Sequence, residues 1–140
     1  MQQNAPPGRF FGIVPVFLVA DVEATAEHYR DVFGFAVEFL SGDDAEYGRV
    51  ARDDTILDFR RSDPPGKRNS LAAAGITEGA DALVIVSDVE EVYIDLQERG
   101  VKVVERLLQR EDGMLEFTAE DTNGYRLTIG GIEDDTDEDA

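Results

Sequence analysis

Two hydrophobic periods alternate along the chain, and their order repeats. Ile13 to Ala20 is a nearly unbroken apolar run rich in branched residues, which predicts a strand buried on both faces. Asp21 follows as a helix N-cap, with a side-chain oxygen for the first free N–H groups. Val22, Ala26, Tyr29, Val32 and Phe33 then recur at spacings of three and four, the apolar stripe of a helix over 22–33. Gly34 ends that helix, because glycine accepts the left-handed conformation common at a helix C-terminus. Segments 35–40, 45–52 and 55–60 predict three strands in a meander, separated by turns at Ser41-Gly42-Asp43-Asp44 and Asp53-Asp54.

The pattern then starts again. Asp88-Val89-Glu90 repeats Asp21-Val22-Glu23 at a shift of 67 positions, and Gly100 answers Gly34. A second strand is predicted over 81–87, followed by a helix over 89–99 with Val89, Val92, Tyr93 and Leu96 as its stripe. Strands over 101–109, 114–119 and 125–129 follow, with turns at Glu111-Asp112-Gly113 and Asn123-Gly124. A repeat of this length predicts two copies of one βαβββ unit. The expected class is α+β, a single domain over 10–132 with modules 10–61 and 80–132 and a linker 62–79 broken by Pro64-Pro65-Gly66. Residues 1–9 read as a loose arm. Residues 133–140 carry six acids in eight positions, an expected disordered tail.

Composition narrows the function classes. The 140 residues suffice for one core and contain no apolar run of transmembrane length. The opening MQQNAPPGR lacks the apolar centre of a signal peptide. Cysteine is absent, which removes disulfides, thiol nucleophiles and thiolate metal sites. These features fit a cytoplasmic protein. The net charge of −18 argues against nucleic acid and anionic membranes as partners, since both need basic patches, and it favours cationic ones. Only Lys67 and Lys102 among the thirteen basic residues are lysine, so the acidity reads either as a high-salt adaptation or as a solubility bias with an acidic tail. Phosphate-binding Gly-rich loops, a Ser-His-Asp set and HExxH are missing from the sequence.

Three segments carry a resemblance. They are Asp21-Val22 followed by HYRDVFGF over 28–35, the stretch LVIVSDVEEVYIDLQERGV over 83–101, and the turn Asp121-Thr122-Asn123-Gly124-Tyr125. Together the chain resembles the glyoxalase / bleomycin-resistance / extradiol-dioxygenase superfamily, the vicinal oxygen chelate fold, over residues 10–132. The resemblance implies two half-barrels facing each other across a cavity. It also implies four metal-ligand positions, which fall here on Val14, Asp58, Asp81 and Thr128. An aliphatic side chain and a neutral hydroxyl are poor donors, and the two carboxylates lack an accompanying imidazole, so no metal and no cofactor are expected. The one histidine, His28, reads as a helix residue lying partly on the core.

Strand alternation suggests the lining of the cavity. With Asp58 inward, Ile56 and Arg60 turn inward too. Asp81 brings Leu83 and Ile85, Thr128 brings Arg126, and Glu116 shares its face with Thr118. Asp58, Asp81 and Glu116 are then expected to line one space. The other reading pairs Asp58 and Asp81 with Arg60 and Arg126, or turns them to solvent. Phe39, Tyr47 and Phe117 are either stacking surfaces for a flat ligand or core. The family's metal-free members imply a binding protein of bleomycin-resistance type, sequestering a small cationic or aromatic ligand and working as a homodimer. The other class is a metal-dependent lyase, isomerase or dioxygenase with an atypical metal site.

Overall fold

Each helix forms where the apolar stripe predicts it. In the computed structural model, which describes residues 7–64 and 66–132, α1 spans Val22–Val32 and α2 spans Val89–Glu98. Asp21 caps α1 by accepting the N–H of Ala24 at 2.9 Å. Asp88 holds the same position before α2 but makes no side-chain cap bond. Val22, Ala26, Tyr29 and Phe33 are all buried. The proposed tail at 133–140 and the first six residues of the arm lie outside the described residues.

Two four-stranded mixed sheets carry the helices. The first consists of β1 (Val16–Val19), β2 (Ala36–Ser41), β3 (Tyr47–Arg52) and β4 (Thr55–Arg61) in the order β1-β4-β3-β2. The second consists of β5 (Ala82–Ile85), β6 (Lys102–Gln109), β7 (Met114–Glu120) and β8 (Arg126–Ile132) in the matching order β5-β8-β7-β6. In both, the first strand runs parallel to the last, with Val16 beside Asp58 and Leu83 beside Thr128. The tandem βαβββ arrangement is therefore present, and neither sheet closes into a barrel.

Burial corrects one expectation. β1 was expected to be covered on both faces. Instead Phe17 and Val19 are buried while Val16 is exposed, and in β5 Leu83 and Ile85 are more than half exposed. The reason is layering. A helix covers one face of each sheet, and among the described residues no helix or strand packs on the other. These strands are apolar on a face that the single chain leaves open.

The modules meet at a buried polar seam. Asp121 Oδ2 accepts the Tyr29 hydroxyl at 2.6 Å, and its Oδ1 accepts the N–H groups of Asn123 and Tyr125 at 2.8 and 2.9 Å. Asn123 donates its side-chain amide to Thr25 on α1. The Tyr125 ring stacks on Phe17 with centroids 4.2 Å apart, and its hydroxyl reaches Leu18 O and Asn69. Close backbone approach helps at the far end of β8, where a Cβ on Gly131 would collide with the Val86 carbonyl.

Asp121→Ala orphans the Tyr29 hydroxyl and two N–H groups at once. It should cost about 3 kcal/mol or more, since each buried polar group left unpaired costs about 1–3 kcal/mol. Tyr29→Phe removes one charge-assisted bond and should cost about 1.5–3 kcal/mol. Urea unfolding midpoints would check both, and near-wild-type stability of Asp121→Ala would show that this bond set does not hold the seam.

Candidate functional site

The helix-free face of the first sheet holds a built constellation. A two-residue turn at Asp53-Asp54 pairs Arg52 with Thr55, and three rungs further along the hairpin Arg49 faces Asp58. The Arg49 guanidinium grips the Asp58 carboxylate in two bonds, Nε to Oδ1 at 2.7 Å and Nη2 to Oδ2 at 3.0 Å. Tyr47, two residues along β3, donates its hydroxyl to Asp58 Oδ2 at 2.7 Å. On β2, Phe39 lies beside Arg49, which sits 5.3 Å from the ring centroid, and the Phe39 and Tyr47 rings are within 10° of parallel. Asp58 is 2% exposed while Phe39 is 40% exposed, so an acid lies beneath an accessible aromatic surface.

Electrostatics follow from that packing. Burial works to raise the Asp58 pKa, but the hydrogen bonds from Arg49 and Tyr47 outweigh it and hold the carboxyl below its ordinary range. The Tyr47 hydroxyl is pushed up by the same contact. Asp58 is therefore ionised and locally neutralised. Arg60, across the ladder from Tyr47, is exposed and makes no ion pair among the described residues. Tyr47 and Arg60 line a groove of about 550 Å³ together with Glu46, Arg61, Ser62 and Asp63.

The other expected site residues are placed differently. Asp81 accepts the N–H groups of Leu71 and Arg126 at 2.7 and 2.8 Å, so its carboxylate ties the linker to β8. The Arg126 side chain turns to Glu120, 3.8 Å away. Thr128 shares a hydrogen bond with Thr118 at 2.8 Å. Glu116 pairs with Arg110 at 2.9 Å. Phe117 is core, edge-on to Tyr93. His28 is half-buried against Tyr29 and Phe33, and burial lowers its pKa against the opposing pull of Asp121 and Asp31.

Two expectations change accordingly. The ion pairs offered for Asp58 and Asp81 with Arg60 and Arg126 are replaced by an Arg49 pair and by backbone donors. Asp58, Asp81 and Glu116 are not brought into one acidic space: the cleft of about 600 Å³ that includes Asp81 is lined by Ile13, Pro15, Ile56, Leu57, Leu83 and Ile85 among others, with Asp54 as its second acid. Arg49 is the residue that sequence reasoning missed. Its signal was the turn itself, because a two-residue connection fixes which side chains face each other.

The four implied metal positions do not fit a transition metal. Val14 has no donor atom, the Asp58 and Asp81 carboxylates are engaged as above, and the Thr128 hydroxyl is bonded to Thr118. Among the described residues no three of His, Asp and Glu gather as a metal would need.

A family model described as the glyoxalase/bleomycin resistance protein/dioxygenase superfamily matches residues 13–129. No curated protein matches the chain. Among solved structures, TioX from Micromonospora sp. ML1 is similar with a TM-score of 0.69 and 19% identity over 87% of this chain and 98% of that one. The bleomycin-binding protein from bleomycin-producing Streptomyces verticillus, complexed with copper(II)-bleomycin, gives 0.63 and 22% over 91% and 99%. A glyoxalase-related enzyme from Clostridium phytofermentans gives 0.69 and 14% over 91% and 99%. At these identities the likeness is one of fold.

The Asp58 pKa sets a pH signature. A depressed carboxyl stabilises the fold above its unfolded pKa, about 3.9, and that stabilisation is lost as pH falls through the folded value. Asp58→Asn should therefore cost about 1–3 kcal/mol near neutral pH. The gap to wild type should close in acid, as pH falls below the unfolded carboxyl value and through the lower folded one. Denaturant titrations at several pH values would check this, and a gap that persists or widens in acid would contradict the assignment.

Proposed function

The chain belongs to the glyoxalase/bleomycin resistance protein/dioxygenase superfamily, and from that premise we propose that it binds a small flat molecule without metal and without turning it over. One observation carries the reading: Phe39 and Tyr47 lie near-parallel and accessible above an Asp58 that Arg49 and Tyr47 have already satisfied. Of the two ligand characters the sequence suggests, this arrangement favours the aromatic one. Asp58 has a cation already, so a ligand gains more by stacking than by supplying charge. The excess of acid over the whole chain still draws cationic molecules toward the face at low salt. The bleomycin-binding relative supports the ligand class, and the mismatched donor set supports the absence of a metal step.

We propose also that the binding protein is a homodimer. Phe10, Phe11 and Ile13 are each at least nine-tenths exposed, and Leu83 and Ile85 more than half. A second copy laid on this open face would bury them. Ile13, Leu83 and Ile85 also line the cleft at the module seam, so the same contact would close that cleft.

Titration with a bleomycin-type drug, with and without copper, tests the binding. Binding should be seen, and Phe39→Ala should weaken it about 2- to 10-fold, the value of one aromatic stacking contact. Failure of the wild type to bind, or an unchanged affinity in Phe39→Ala, would overturn the stacking reading. A stoichiometric metal retained by purified protein after chelation would favour the lyase or dioxygenase class instead.

Sedimentation tests the assembly. A dimer is expected at tens of micromolar, on the order of ordinary oligomer affinities. A monomer throughout that range would refute it.

A further inference from the structure

The module seam has two halves that the repeat should make alike, and they are not alike. Counting from the helix caps Asp21 and Asp88, Phe17, Thr25 and Tyr29 correspond to Val84, Val92 and Leu96. Counting from the paired positions Asp58 and Thr128, Thr55 corresponds to Tyr125. In one half the turn after β7 fills the space against α1. Tyr125 stacks on Phe17, Tyr29 bonds Asp121, and Thr25 bonds Asn123. In the other half the hairpin encloses one residue fewer between Arg49 and Asp58 than between Thr118 and Thr128, and threonine, valine and leucine stand where the first half has three aromatic rings.

The missing volume is an opening. A cavity of about 300 Å³ lies there, walled by Phe33, Phe35, Val84, Val92, Leu96 and Ile129. Its rim carries Arg52, Asp53, Asp54, Thr55 and Ser87. Arg52 is already engaged, donating to the Phe33 carbonyl at 2.8 Å and pairing with Asp95 at 3.2 Å. Asp53 and Asp54 are exposed and make no ion pair among the described residues. The lining is thus apolar at depth and anionic at the mouth, and its size is at the lower end for small-ligand sites.

We propose that this half of the seam is a second ligand site, taking a compact aromatic amine: the ring enters where the other half keeps its own rings, and the ammonium faces Asp53 and Asp54. It is distinct from the Phe39–Tyr47 surface, and it does not depend on the function proposed for that surface. An aromatic ring supplies what the other half of the seam obtains from Tyr125 and Tyr29. A cation at the mouth meets two carboxylates that make no ion pair among the described residues.

Benzylamine and its neutral isostere benzyl alcohol are the probes, read by chemical-shift changes at the methyl groups of Val84, Val92 and Leu96. Benzylamine should bind in the millimolar range ordinary for a one-ring fragment, on the order of a Kd of 1 mM. Thr55→Tyr restores a ring of the filled half and should weaken binding tenfold or more. Asp53→Asn/Asp54→Asn leaves the cavity walls untouched and serves if the first variant does not fold. It should weaken benzylamine roughly two- to fivefold and leave benzyl alcohol unchanged. Absence of shift changes at these methyl groups for either probe would overturn the site. So would equal loss of both probes in the Asp53→Asn/Asp54→Asn variant, or undiminished binding in a folded Thr55→Tyr variant.

Discussion

The bond from the Tyr29 hydroxyl to the Asp121 carboxylate lies at the centre of the side-chain contacts that hold two four-stranded sheets together. Among the described residues no strand of one sheet pairs with a strand of the other, so the modules rely on side chains that cross the seam, from α1 and β1 to the turn after β7 and from Arg52 to Asp95. The bond lies where water cannot substitute for it. Burial raises the Asp121 pKa, the Tyr29 hydroxyl and the two backbone N–H groups pull it back, and the Tyr29 pKa is driven well above its ordinary value. A group so enclosed is costly to leave without partners, and that cost fixes the position of the turn relative to the helix.

A repeat held in this way need not stay symmetric. The two copies share strand order and helix placement, yet they divide the tasks of the seam unequally. One half is filled by aromatic rings and a polar network. The other is left with smaller side chains, closed partly by Arg52 as it reaches the Phe33 carbonyl and Asp95. The filled half carries the attachment, so the open half has less to hold. Polar stations differ in the same manner. Asp58 serves a guanidinium on its own sheet, while Asp81 serves backbone donors and fixes the linker.

The same layering accounts for the exposed apolar surface. Each helix can cover only one face of its sheet. The opposite face of the first sheet therefore remains accessible, and there the Arg49–Asp58 pair gives a rigid base under Phe39 and Tyr47. A flat surface whose buried acid is already satisfied suits stacking better than capture of a cation.

Periodicity alone determined most of the fold. The stripe from Val22 to Phe33, the caps at Asp21 and Asp88, and the Gly34 and Gly100 stops are local features, set by the conformations of a few neighbouring residues, and the repeat turned them into a tandem of βαβββ units. With Asp58 placed inward by the resemblance, alternation put Arg60 on the same face. What local pattern could not give was partnership. Whether Asp58 meets Arg60, Arg49 or Asp81 depends on hairpin register and on which backbone donors the linker brings near. Likewise, a run of valine and isoleucine reads the same whether one face or both are covered. The tertiary structure decided those points, because side-chain contacts between distant segments are settled only when the layers have packed.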